Sequence, residues 1–274
     1  MEEERRWEEI NTDCLVNIFR RLGLEDLTLA VPFVCQSWYR ATLDPTCWRV
    51  LKFRRLDFMP WSNLSKEFSN RYGLNGRFSF SCFLKLCVAR SHGEAIEVEF
   101  PLLFGASIHD LTFISHRCPK LRKATLPILQ SEDEPHLPEI IGRWHELEQL
   151  EMECKPSSFQ ELVNNLNPKL NSLKMFGSFK NDDVSVIVNK LPKLKCLCLS
   201  KSYMQKDELL SILNGCNSLE ELVVRDCVGF EVNEEVLKRV MHSGIKVFEH
   251  EGSNLVNEDG YDTDECDPLY VHAL

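Results

Sequence analysis

Hydrophobic positions in the first 55 residues recur at helical spacing. Leu15, Ile18, Phe19 and Leu22 fall at i, i+3, i+4 and i+7, the apolar stripe of one helix. Asn11 or Thr12 can cap it, because a short polar oxygen there accepts an orphan amide hydrogen, and Gly23 stops it. Residues 25–31 predict a second short helix that buries Leu27 and Val31 and ends at Pro32, which has no amide hydrogen to continue. Residues 35–43 predict a third, with Cys35, Trp38, Tyr39 and Thr42 on one side; Asp44-Pro45 closes it, and Trp48 and Leu51 follow. Three helices of about ten residues each bury little among themselves, so such a unit needs a partner surface.

The pattern then changes to a repeat. Leu121-Arg-Lys-Ala124-Thr-Leu126, Leu147-Glu-Gln-Leu150-Glu-Met152, Leu170-Asn-Ser-Leu173-Lys-Met175, Leu194-Lys-Cys-Leu197-Cys-Leu199 and Leu219-Glu-Glu-Leu222-Val-Val224 all read L-x-x-L-x-L, in steps of 26, 23, 24 and 25 residues. Ile245-Lys-Val-Phe248 is a degenerate last copy, and Ile96-x-Val98-x-Phe100 a first one. Helix-period segments lie between them, such as Phe159-Leu162-Val163-Leu166 and Val184-Ile187-Val188-Leu191, and Cys118-Pro119, Asn167-Pro168 and Leu191-Pro192 mark turns from helix to strand. A period in this range signals a solenoid, because one strand plus one helix cannot cover its own apolar face while stacked copies bury a continuous core. Residues 61–92, with Phe78, Phe80, Phe83, Leu84, Leu86 and Val88, predict a helix that caps the first repeat.

Charge narrows the function classes. After Lys246 there is no Lys or Arg but eight acids follow, so residues 1–246 carry 32 basic and 34 acidic side chains out of a whole-chain balance of −10. A near-neutral body with an acidic end offers no broad basic face to phosphates, which argues against nucleic acid as a partner; Arg49, Lys52, Arg54 and Arg55 read as a solvated helix end. The longest apolar runs, residues 27–35 and 100–108, fall far short of the roughly 18 residues that span a bilayer. The acidic start lacks the apolar core of a secretory signal, so the expected address is cytoplasmic or nuclear and no membrane is expected. The 12 cysteines include no Cys-x-x-Cys and no zinc-like spacing with His, and are expected to be reduced, buried small hydrophobes.

The first segment resembles an F-box: Trp7 and Ile10 as the lead-in, Leu15, Ile18-Phe19 and Leu22 on the first helix, Leu27 next, then Val34-Cys35-Gln36-Ser37-Trp38, and Asp44-Pro45-Thr46-Cys47-Trp48. One departure is Ile10-Asn11 where that family commonly has Leu-Pro, which loses a rigid lead into the first helix. The second half resembles the cysteine-containing leucine-rich-repeat arrays that accompany F-boxes, and Cys227 occupies the Asn/Cys position closing its repeat. The resemblance implies an α/β (overall α+β) chain: a three-helix F-box over residues 1–55, a linker and capping helix over 56–92, a short right-handed leucine-rich-repeat solenoid with a parallel concave sheet over 93–251, and an acidic disordered tail over 252–274.

It further implies a substrate-recognition subunit of a Skp–cullin–F-box ubiquitin ligase. The F-box would dock on a Skp adaptor, and through it on cullin and a RING subunit, by way of Trp7, Ile10, Leu15, Ile18, Phe19, Leu22, Leu27, Val31, Val34, Cys35, Trp38, Tyr39 and Trp48, about half of which must instead pack within the unit. A rival reading is a scaffold that joins the same complex without turnover of a target. No Walker loop, G-x-S-x-G, H-E-x-x-H or G-x-G-x-x-G is present, so the chain is read as non-catalytic, with no cofactor, metal or bound small molecule expected. In L-x-x-L-x-L the leucines turn inward and alternate positions form the exposed sheet. That places three expected ladders: Lys123, Gln149, Ser172, Cys196 and Glu221; Thr125, Glu151, Lys174, Cys198 and Val223; and Pro127, Glu153, Phe176, Ser200 and Arg225. Within them Glu151, Glu153, Lys174, Phe176, Cys198, Val223 and Arg225 are the candidate target-binding residues, with an exposed Phe176 flanked by Lys174 and Arg225 as the anchor.

Overall fold

A computed structural model of the chain describes residues 10–75, 77–102 and 105–255. It divides into two compact units, Met1–Lys123 and Ala124–Leu274.

The first unit opens with helix α1 (Thr12–Phe19), whose first turn is capped by Asn11, its side-chain oxygen accepting the Asp13 amide hydrogen at 2.8 Å. The expected second helix takes tighter and looser turns instead: a π turn over Asp26–Ala30 passes into a 3-10 turn over Val31–Phe33. Pro32 supplies no amide hydrogen, and the Thr28 hydroxyl donates to the Leu24 carbonyl at 2.7 Å, so regular α-helical bonding is interrupted from both ends. Helix α2 (Gln36–Ala41) follows, then a 3-10 turn over Pro45–Trp48 capped by Asp44. Leu15, Phe19, Leu27 and Trp48 form the interior, with the Phe19 ring edge-on to Trp38 at 5.3 Å and the Trp48 indole N–H donating to the Thr42 carbonyl at 2.7 Å.

Strand β1 (Val50–Lys52) was not foreseen from the sequence. It pairs in parallel with β2 (Glu97–Glu99), the expected first repeat strand, with Leu51 beside Val98. Between them the single expected capping helix is two, α3 (Asn63–Arg71) and α4 (Phe80–Ser91), because Ser62 and Ser79 each cap a fresh start. Six phenylalanines hold this region together. Phe58 meets Phe80 at 5.0 Å, Phe68 meets Phe83 at 5.1 Å, Phe53 meets Phe80 at 5.4 Å, and Phe78 lies 5.7 Å from Phe68. Burying each ring contributes about 1.5–3 kcal/mol, with edge-on pairing adding to it. Helix α5 (Ile108–Arg117) starts in a reciprocal Ser107–Asp110 capping box, and β3 (Lys123–Thr125) spans the division between the units.

The second unit is a leucine-rich-repeat solenoid of parallel strands laid in sequence order, with a helix between each strand and the next. Helix α6 (Leu137–Gly142) leads to β4 (Gln149–Cys154), followed by α7 (Phe159–Asn165), β5 (Ser172–Phe176), α8 (Asn181–Lys190), β6 (Cys196–Cys198), α9 (Lys206–Gly215), β7 (Glu221–Val223), α10 (Glu234–Ser243) and β8 (Val247–Glu249). The middle leucine of each repeat stacks on the next: Leu150 on Leu173, Leu197, Leu222 and then Phe248. A second constant feature lies one residue before each strand. Lys195, Glu220 and Lys246 each donate their amide hydrogen at 2.8 Å to the equivalent carbonyl of the repeat before, on Asn171, Lys195 and Glu220. Cys227, at the closing position, is fully buried and its thiol donates to the Leu199 carbonyl at 3.1 Å. Gly229 follows at φ +106, where a Cβ would sit 2.6 Å from the Met204 carbonyl oxygen.

Two predictions follow from this packing. Gly215 closes α9 against α8 so tightly that a Cβ would lie 2.3 Å from Val188 Cγ1. Gly215→Ala should destabilise the chain by about 1–3 kcal/mol through overpacking, and Val188→Ala in the same chain should restore most of the loss; urea melts of the single and double variants check this. The second concerns the buried thiols. Burial pushes Cys118 up to about 12 and Cys47, Cys216 and Cys227 up to about 11. Each thiol stays neutral in the folded state while the unfolded chain ionises near its ordinary value of about 8.5, so their stabilisation is complete below that pH and drains away as pH rises toward 11–12. Urea midpoints should therefore fall above about pH 9, and Cys227→Ala should make the fall shallower; parallel pH curves for the two proteins would contradict the linkage.

Candidate interaction surfaces

The first unit finishes its own core yet leaves large apolar side chains outside. Ile18, Phe33, Val34 and Tyr39 are 47, 48, 58 and 42% exposed. Two of these rings are held from behind by the helices that follow. The Arg71 guanidinium sits 4.6 Å over Phe33, whose edge also meets Tyr72 at 6.1 Å, and Arg90 lies 5.7 Å over Tyr39. Tyr72 is fixed in turn by its hydroxyl donating to the Thr28 carbonyl at 2.9 Å, and burial pushes its phenol above the ordinary range. The presented rings are thus positioned rather than loose.

Among the residues anticipated for adaptor contact, Leu15, Phe19, Leu27, Val31 and Trp48 are buried, Ile10, Leu22, Cys35 and Trp38 are half-buried, and Ile18, Val34 and Tyr39 are exposed. Trp7 lies outside the described residues. Phe33 was missed in the sequence because it follows Pro32, where the helical pattern breaks; the available signal was a large aromatic stranded between two stripes.

The second surface is the sheet face of the second unit. Two ladders are set by the strand register: Gln149, Ser172, Cys196, Glu221 and Val247; and Glu151, Lys174, Cys198, Val223 and Glu249. The third expected ladder is corrected at its start. Strand β4 carries one extra residue between Glu151 and Cys154, so Cys154, not Glu153, stands beside Phe176. Phe176 is half-buried rather than exposed. Thr125 and Pro127 are buried, since the strand ends at Thr125 and the chain turns inward, and Val223, set between Cys198 and Glu249, keeps only 9% of its surface. Glu151, Glu153 and Cys198 are half-buried, and Lys174 and Arg225 exposed.

Both cations are ion-paired within the face. Lys174 pairs with Glu151 at 3.2 Å, and Arg225 with Glu249 at 3.0 Å and Glu251 at 3.4 Å. Cys196 lies between Ser172 and Glu221 in its ladder, and burial is the largest cause holding its thiol above the ordinary range. Outside the ladders, Glu220 takes hydrogen bonds from Lys246 and Lys195, which hold its carboxyl down at about 2. No three metal-ligating side chains come together among the described residues, and no described helix is long and apolar enough to cross a membrane. The tail expected to be disordered over 252–274 starts later than that: the Asn254 amide donates to the Cys227 carbonyl at 3.0 Å and the Asn254 carbonyl accepts from the Gly229 amide at 3.0 Å, while residues 256–274 lie outside the described residues.

No protein-family model matches the chain. Among curated proteins it is similar to an F-box/LRR-repeat protein of Arabidopsis thaliana, 27% identical over 266 residues and spanning 89% of this chain and 83% of that one. It is also similar to the F-box protein SKIP19 of the same plant, at 25% over 271 residues and 97% and 84% of the two chains. A third relative, the F-box protein FBW2, matches at 25% over 257 residues, 87% of this chain and 74% of its own.

Proposed function

We propose that this chain, a relative over most of its length of plant F-box and F-box/leucine-rich-repeat proteins, is the substrate-recognition subunit of a Skp–cullin–F-box ubiquitin ligase. The observation that carries the reading is the exposed apolar set Ile18, Phe33, Val34 and Tyr39 on a unit whose own interior is already filled by Leu15, Phe19, Leu27 and Trp48. Four large apolar groups left in water by a finished core have the composition of an interface centre. The Skp adaptor covers them and links the chain to cullin and the RING subunit. Target protein is held on the repeat unit, in the cytoplasm or nucleus.

In this reading the chain supplies no reacting group. Holding a target lysine near the thioester of a charged conjugating enzyme raises its effective concentration and lowers the entropic part of the barrier. The ion-paired sheet face and the positioned rings support a binding role, since both are fixed before a partner arrives.

The experiment uses exposed residues, so that loss of binding is not loss of fold. Ile18→Ala with Phe33→Ala should weaken Skp adaptor capture by about 2–4 kcal/mol, the range for truncating hot-spot side chains, and leave the thermal melt of the full chain unchanged. Cullin should co-purify with the wild type and not with the double variant. Undiminished adaptor capture by the variant would move the docking surface elsewhere, and adaptor capture without cullin would favour a scaffold acting without target turnover.

A further inference from the structure

The middle leucine of each repeat in the second unit is covered by the repeat that follows, and the repeat of α10 and β8 has none after it among the described residues. Its inward side chains show the difference. Leu219 and Leu222 are buried, whereas Ile245 and Phe248, at the same places one repeat on, are only half-buried. On α10, Glu235 reaches Lys206 of α9, which fixes the side of α10 that meets its neighbour. Leu237, two residues on and so about 200° around the helix axis, faces the other way, and Met241 lies one turn beyond it. Both are exposed. Strand β8 is open in the same direction. The Val247 amide donates to the Glu220 carbonyl and the Glu249 carbonyl accepts from Val224, both toward β7, so by alternation the Phe248 amide and carbonyl point to the outer edge. Apolar side chains and a strand edge left open together at the end of a stack call for a cover.

We propose that the cover is the chain's own segment 261–271, which makes one further repeat without a helix and adds its strand beside β8. The inference goes beyond the receptor reading and does not rest on it. Its support is register. Ser178, Tyr203, Val228 and Asn254 bridge one another in a ladder where successive repeats leave their strands. An inward helix residue follows six positions after Ser178 at Val184, six after Tyr203 at Leu209 and eight after Val228 at Val236, all buried. Seven after Asn254 stands Tyr261. The middle residue of the next strand follows 19 positions after Ser178 at Leu197, 19 after Tyr203 at Leu222 and 20 after Val228 at Phe248. Fifteen after Asn254 stands Leu269, inside Cys266-Asp267-Pro268-Leu269-Tyr270-Val271, which keeps the L-x-x-L-x-L spacing with Cys first and Val last. The shorter return is what loss of the helix requires. Ten helical residues, the length of α8, α9 and α10, rise about 15 Å, which about five extended residues cover, a saving of about five. Gly260 among Asp259, Asp262 and Asp264 disfavours a helix there, and Pro268 is tolerated at the start of an outermost strand. In this register Leu269 covers Phe248, Cys266 covers Ile245, and Tyr261 lies against the open side of α10.

The test reads hydrogen exchange at the Phe248 amide, by mass spectrometry with fragmentation, and the thermal melt, both on the full chain. The wild-type amide should exchange slowly, because the added strand accepts its hydrogen. Leu269→Asp and Val271→Asp should each speed that exchange by at least about tenfold and lower the melting temperature by about 2–4 °C. Tyr270→Asp puts the same charge at the outward position between them and should leave both readings as they were. Leu269→Met, which keeps an apolar side chain of similar volume, should also match the wild type. A chain ending at Leu255 should exchange at Phe248 as fast as the Leu269→Asp variant. Exchange at the unprotected rate in the wild type would overturn the proposal. Equal effects of all three aspartates would reduce them to added charge, and the absence of any effect would leave the segment off the repeat; either result overturns it as well. Protection that disappears when the wild type is diluted would assign the cover to a second copy of the chain and overturn it too.

Discussion

The second unit depends on one constraint, that a strand and a helix of this length cannot bury their own apolar faces. Leu150, Leu173, Leu197 and Leu222 are each buried only because the next repeat stands directly beside them in register. That requirement fixes more than the interior. Because side chains alternate along a strand, seating the leucines inside forces residues on either side of them outward, and the same register that stacks the leucines lines up the outward residues into ladders. The exposed sheet face is therefore a by-product of core packing, and its chemistry is free to vary as long as the leucines stay.

The first unit solves a different problem. It is too small to use all its apolar side chains internally, and Ile18, Phe33, Val34, Tyr39, Val50 and Trp61 stay exposed. Phe33 and Tyr39 are each backed by an arginine from α3 or α4, and Tyr72 bonds the backbone of the turn that presents Phe33. A guanidinium over an aromatic face gains from the ring quadrupole and restricts the ring without covering its outer surface. The phenylalanine cluster around Phe58, Phe68 and Phe83 anchors the two helices that carry those arginines. Removing that cluster would loosen the presentation of the apolar set even though none of its members is exposed.

Some of this was legible in the sequence and some was not, for physical reasons. The L-x-x-L-x-L period is a strong signal because inward leucines recur at nearly constant steps, and the helices between them follow from 3.6-residue spacing. Strand β1 carried no such signal. Val50–Lys52 is three residues long, has one buried side chain, and becomes a strand only through its partner Glu97–Glu99. The extra residue in β4 was equally silent, since a one-residue slip needs knowledge of both strands, and it changed which residue faces Phe176. On the first helix the stripe Leu15, Ile18, Phe19 and Leu22 was read correctly as apolar, but periodicity does not separate the half that meets the interior from the half that meets water. Leu15 and Phe19 went inside, and Ile18 did not.

The charges on the sheet face follow the pairing that folding favours. Like charges directly opposite on neighbouring strands are destabilising, and opposite charges contribute roughly 0.2–1 kcal/mol each. Both ladders obey this rule: Glu151 faces Lys174, Glu221 has Cys196 and Val247 beside it, and Glu249 has Val223. The first unit obeys it too, with Glu97 and Glu99 between Lys52 and Lys123. There the carboxylates and amines are matched in number and the patch is neutral. On the face of the second unit the carboxylates are likewise tied to neighbours in register, Glu221 by a hydrogen bond with the Cys196 thiol beside it and Glu151 by its ion pair with Lys174.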